Sequence, residues 1–162
     1  MTDETYYTLI DSPLGQILLV GDGTNLTELN FQAGTHPTEI GADWQQDAAP
    51  FAEAIAQLQA YFSGDLHTFD LPLQPDGTPF QQQVWQQLQA IPYGQTTSYG
   101  ELAHCLGKPI TAARAVGAAN GANPIPLIIP CHRVIGSDGR LTGYGGGLPI
   151  KEALLAHEQG QR

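Results

Sequence analysis

Apolar and polar positions alternate near the start of the chain and shift to helical spacing further on. Residues 5–31 read as a small antiparallel meander with strands at 5–10, 16–20 and 26–31, the last in clear period-two alternation. Ser12-Pro13-Leu14-Gly15 and the stretch from Gly21 to Asn25 supply the turns. Residues 32–46 are polar with Gly and Pro, which predicts a loop. Asp47 stands where it can cap a helix over residues 50–62, in which Phe51, Ile55, Leu58 and Phe62 share one face and Gly64 marks the end. Residues 66–73 form a short extended piece. Gln74-Pro75-Asp76-Gly77 then breaks the chain and predicts a boundary between residues 1–76 and 77–162.

The second part is mostly helical. Thr78 as cap and Pro79 in the first turn open a helix with Phe80, Val84, Leu88 and Ile91 on one face. Ser98 and Glu101 have capping-box spacing at the mouth of the next helix, Gly107-Lys108-Pro109 breaks it, and Thr111 is expected to cap another. Helix, short turn, helix is the pattern of a helix-turn-helix. The second of these helices is built of Ala112, Ala113, Ala115, Gly117, Ala118 and Ala119, with Arg114 as its one long side chain. Such a face suits a DNA groove and equally suits tight packing in a core, and periodicity alone leans toward packing. A Pro-rich stretch, 123–135, leads into a Gly-rich one, 136–147, and residues 151–158 form a last helix. The expected fold class is α/β (α+β): a small N-terminal antiparallel sheet with a helix, joined to a C-terminal helical, winged-helix-like helix-turn-helix domain.

Composition narrows the function. The apolar share is 41%, ordinary for a folded domain, and no window approaches ~20 consecutive apolar residues, so no membrane partner is expected. The acidic N-terminus lacks the basic and apolar regions of a secretory signal, which points to a cytoplasmic protein. A net charge of −10 argues against nucleic acid until its distribution is read. Residues 1–107 carry thirteen acids and no Lys or Arg, whereas residues 108–162 carry six cations against three acids. A polyanion would dock on the second half. With so few cations, DNA binding is expected to be weak or salt-sensitive. The two cysteines, Cys105 and Cys131, fit neither a metal cluster nor a needed disulfide. Cys105 reads as a small buried hydrophobe beside Leu102 and Leu106. Cys131, bracketed by Pro130 and the polar pair His132 and Arg133, is a candidate nucleophile. Adjacent side chains seldom hydrogen-bond directly, so His132 would act as a base through a water, and Glu158 in the last helix could orient it.

The string NPIPLIIPCHRVIGSDGRLTGYGGGLPIKEALLAHE, with TPFQQQVWQQLQAIPYGQTTSYGELA and AARAVGAANGANP before it, resembles the O6-alkylguanine-DNA alkyltransferases (methylated-DNA–protein-cysteine methyltransferases) of bacterial type. The match covers residues 78–158, and the pairing of PCHRV with an upstream AARAVG is specific. The resemblance implies irreversible, stoichiometric transfer of an alkyl group from O6-alkylguanine in double-stranded DNA after base flipping, with O4-alkylthymine as a second candidate substrate. It assigns Cys131 as alkyl acceptor, with His132, Glu158, Tyr99 and Asn123 in support. It places Arg114, Tyr99, Ala112, Ala113, Gly117 and Arg133 on DNA, in the minor groove. It places Tyr144, Gly145, Gly146 and Lys151 around the base pocket. No cofactor, no metal and a monomeric protein are implied. Ala153 departs from the bulky aromatic expected there, and segment 99–114 carries one residue more than the animal pattern. Three rivals remain. A lesion-marking relative without transfer would lack Cys131, a cysteine hydrolase would need an oxyanion hole and a directly paired histidine, and a transcription regulator would leave Cys131 unused.

Overall fold

The computed structural model describes residues 4–139 and 147–160. Strands β1 (Tyr6–Ile10), β2 (Ile17–Gly21) and β3 (Leu26–Phe31) form the expected antiparallel meander. The turn between β2 and β3 is tied by the Asp22 carboxylate, which accepts the backbone N–H groups of Thr24 and Asn25 at 2.9 and 2.7 Å. The sheet is mixed rather than purely antiparallel. A fourth strand, β4 (Gln45–Gln46), pairs in parallel with β1 inside the stretch expected to be a loop, and the order is β3-β2-β1-β4. Two exposed glutamines carry no apolar alternation, so pattern gave no sign of it.

Asp47 accepts the Ala49 N–H at 3.0 Å and starts a 3₁₀ turn, Ala49–Phe51, that runs into α1 (Ala52–Phe62). At α2 (Pro79–Leu88) Thr78 makes a full capping box with Gln81. The boundary glycine is set by packing, because a Cβ on Gly77 would stand 2.4 Å from the ring of Trp85. Strand β5 (Thr97–Ser98) leads into α3 (Tyr99–Cys105), where Ser98 Oγ accepts the Glu101 N–H at 3.1 Å. Helix α4 (Ala113–Gly121) follows a 3₁₀ turn at Ile110–Ala112. Thr111 does not cap it: the turn is closed by the Ala112 N–H on Pro109 O at 2.9 Å, and no side chain caps Ala112. Cys105 is exposed, not buried as its spacing suggested, because Leu102 and Ala103 take the inner face of α3. Strand β6 (Val134–Ile135) pairs in parallel with β5, and α5 (Leu148–Glu158) closes the chain's described part.

One core joins both parts. Phe31, Phe51, Leu58 and Tyr61 pack in a single cluster with Trp85, Leu88, Ile125, Ile129, Val134 and Leu154. The Trp85 indole N–H donates to Ala119 O at 2.8 Å, locking α2 to α4. The Leu29 N–H of β3 donates to Pro124 O at 2.9 Å, so the sheet also holds the segment that leads to Cys131.

Candidate active site

The segment 123–131 is short of regular hydrogen bonds, so side chains supply them. Asn123 Nδ2 donates to Ile129 O at 2.8 Å while its Oδ1 accepts the Ile125 N–H at 3.0 Å, which cinches the loop from inside. Leu127, buried within it, has a φ of 75°, a left-handed conformation that costs a leucine about 1–3 kcal/mol and persists because the packing around it is fixed. The loop ends in a single 3₁₀ turn, Cys131–Arg133, whose three residues are all buried.

Cys131 is 4% exposed and its carbonyl oxygen accepts from Asn120 Nδ2 at 3.4 Å. His132 is fully buried, and its Nε2 lies 2.6 Å from Glu158 Oε2 at the end of α5. Burial pushes the His132 pKa down, against the pull of Glu158, so the ring is neutral near pH 7. With Nε2–H donating to the carboxylate, Nδ1 is the ring's acceptor nitrogen, and among the described residues it has no hydrogen-bond partner.

Glu158 is the hub. Its carboxylate accepts Arg133 Nε at 2.7 Å and Nη2 at 3.0 Å in a two-pronged pair, and the Tyr61 hydroxyl at 2.7 Å. Burial alone would raise the Glu158 pKa, but these donors outweigh it and hold the carboxyl well below its usual range. Arg133 Nη1 donates to Ile91 O at 2.7 Å, and the guanidinium sits 5.8 Å from the Tyr93 ring centre. Arg133 therefore does not face DNA as expected. It is buried, because a carboxylate taken out of water needs a fixed cation beside it. Lys151 is buried too and donates from Nζ to Val134 O at 2.7 Å. Burial lowers its pKa, and a thiolate at Cys131 is close enough to oppose that shift.

Cys131, His132, Glu158, Asn123 and Lys151 are thus brought together. Arg114 is exposed on α4, on the other side of the helix from buried Val116 and Ala119. Gly117 lies against the Tyr99 ring, which a Cβ there would meet at an ordinary contact distance of 3.5 Å, while Ala112 and Ala113 are half-buried. Tyr144, Gly145 and Gly146 lie outside the described residues.

Two family models match the chain: the DNA-binding domain of 6-O-methylguanine DNA methyltransferase over residues 79–160, and that protein's ribonuclease-like domain over residues 5–75. The chain belongs to the 6-O-methylguanine DNA methyltransferase family. A methylated-DNA–protein-cysteine methyltransferase of Methanosarcina barkeri is 56% identical over 95% of this chain and 97% of its own length. The same-named protein of Mycobacterium tuberculosis is 52% identical over 95% of this chain and 92% of its own. A crystal structure of Mycobacterium tuberculosis OGT in complex with DNA superposes with a TM-score of 0.87 at 52% identity, covering 96% of this chain and 93% of that one.

Within this family member, sequence reasoning missed Tyr61 and the role of Arg133. Tyr61 lies three residues after Leu58, at the edge of the apolar stripe of α1. A tyrosine on a buried helix face needs a partner for its hydroxyl, and that was the available signal. Nothing local tells a solvent-facing Arg133 from an inward one, since its partner lies 25 residues away.

Proposed function

We propose that this protein repairs DNA by direct reversal, moving the alkyl group of O6-alkylguanine onto Cys131 in one turnover. The observation that carries the reading is the buried His132–Glu158 pair, which turns His132 Nδ1, without a hydrogen-bond partner among the described residues, into an acceptor next in sequence to a buried thiol. A water between the two relays the Cys131 proton to Nδ1, as in a triad with one solvent molecule inserted. The buried Lys151 ammonium favours the thiolate that results. The thiolate attacks the alkyl carbon, an S–C bond forms and the C–O6 bond breaks. The guanine leaves with a proton from Tyr99, and the thioether stays because it is a poor leaving group.

DNA docks on α4. Arg114 fills the stack left by the flipped nucleotide, and Ala112, Ala113 and Gly117 keep the face low enough for a minor groove. Residues 1–76 and 77–162 are taken as two domains sharing one core, the first supplying Tyr61 to the site. Lys151, Tyr144, Gly145 and Gly146 are assigned to the base pocket on the family resemblance, the last three lying outside the described residues. The protein acts as a monomer in the cytoplasm, a reducing compartment that keeps such a thiol usable.

The test is mass spectrometry after incubation with duplex DNA holding one O6-methylguanine. One added methyl on the Cys131 peptide, lost in Cys131→Ser, is the expected result. Tight lesion binding with Cys131 unmodified would replace transfer with lesion marking.

A further inference from the structure

Ile110 is 77% exposed, the most exposed of the large apolar side chains among the described residues. Its place makes it more than a stray surface residue. It opens the 3₁₀ turn Ile110–Ala112 that runs straight into α4, one helical turn before Arg114, so the two side chains share the outer face. It is also bracketed by charge. Lys108 and Arg114 are the cations among the described residues that reach solvent, since Arg133 and Lys151 are buried, and Ile110 lies between them in the chain.

The side chain is held ready. Pro109 fixes the backbone just before it, and Gly100 at the start of α3 leaves a flat bed, where a Cβ would sit 3.4 Å from both Cγ1 and Cδ1 of Ile110. One edge of the isoleucine rests on Gly100 and the other is open. Lys108, two residues earlier, has its Nζ 5.6 Å from the centre of the Phe80 ring.

Resting on the reading that α4 docks in a DNA groove, we propose that Ile110 is a further DNA-contact residue. It packs its aliphatic side chain against the deoxyribose wall of the groove beside the site filled by Arg114. The partner is fixed by the surroundings: in a chain of net charge −10, an apolar side chain framed by the solvent-reaching cations faces a polyanion with apolar sugar edges. The contact carries no sequence information. It adds affinity where phosphate contacts are few, and it aligns α4 so that Arg114 meets the lesion.

Ile110→Ala and Ile110→Val are compared with the parent in two assays: affinity for an O6-methylguanine duplex in a Cys131→Ser background, and methyl or benzyl transfer to Cys131 from that duplex and from free O6-benzylguanine. Ile110→Ala is expected to weaken duplex binding about tenfold, the order set by removing most of one aliphatic side chain from a buried contact. The ratio of duplex to free-base transfer falls with it, and Ile110→Val recovers most of both. The slope of log affinity against log salt stays that of the parent, because an apolar contact releases no counterions. Unaltered duplex affinity in Ile110→Ala, an unaltered ratio, or a changed salt slope would each overturn the proposal. If no substrate alkylates Cys131 in the parent, the transfer reading falls, while the affinity comparison still decides on Ile110.

Discussion

At the scale of single residues the site turns on how a carboxylate survives burial. Glu158 accepts from His132, Tyr61 and twice from Arg133, so it is fully paired. Removing Arg133 strands that charge. Arg133→Ala is therefore expected to lose about 3–5 kcal/mol of folding stability in urea unfolding, the usual cost of breaking a buried pair from one side. A residue that merely touched DNA would lose next to none, so a neutral result would return Arg133 to the surface. His132 sets the pH response. Its folded pKa lies below the unfolded value of 6.5, so the folded state holds it neutral and the unfolded chain takes the proton first. The stability it contributes is present above pH 6.5 and declines as pH falls below that value. Transfer to a free alkylated base should likewise keep its rate down to pH 6.5 and fall on an acid limb with its midpoint lower. A midpoint above 6.5 would mean that Glu158 outweighs burial. That Glu158 could orient His132 was legible in sequence, through the family resemblance more than through spacing, and the structure pairs the two at 2.6 Å. Tyr61 was not, because its hydroxyl finds Glu158 across 97 residues and no spacing rule spans that gap.

Elements were legible where one short segment decides its own structure. Thr78 and Thr111 illustrate the limit. Both precede a helix, yet Thr78 Oγ1 accepts the Gln81 N–H at 3.1 Å whereas no side chain caps α4. Thr78→Ala should lose about 1 kcal/mol in thermal or urea unfolding, and Thr111→Ala should lie within about 0.5 kcal/mol of the parent. Equal losses would mean that Thr111 caps after all. The difference arises because Pro109 and the 3₁₀ turn close the start of α4 through backbone alone. The strands β4, β5 and β6 were illegible for another reason. Each is two residues long and exists only because a distant partner offers a backbone edge. The β5–β6 pair is also the most consequential of them. It matches Thr97 with Val134 and Ser98 with Ile135, so the residues just before Tyr99 are bonded to those just after Arg133. The start of the helix-turn-helix and the turn that holds Cys131 are thereby fixed to one another, which on the proposed reading keeps a duplex docked on α4 in register with the thiol.

For the whole molecule, charge decides how DNA is held. Few cations do imply weak binding, but they do not imply strong salt sensitivity. Salt dependence comes from counterions released as phosphates are neutralised, so it scales with the number of cations engaged. Of the four described Lys and Arg residues, Arg133 and Lys151 are buried, which leaves Lys108 and Arg114. Each engaged cation adds about 0.9 to the slope of log affinity against log salt, so this pair gives about −2. Counting Arg140 and Arg162 as well brings it to no more than about −4. Titrating an O6-methylguanine duplex between about 50 and 200 mM salt against the Cys131→Ser protein measures the slope, over a range in which a strongly basic protein loses orders of magnitude. A slope near −6 would require cations that the described fold buries. A shallow slope would mean that affinity rests on the shape of α4, on insertion of Arg114 and on apolar contact. The twelve acids of residues 1–76 then act by repulsion, keeping the first domain off the phosphates and leaving the α4 face as the surface a duplex can approach.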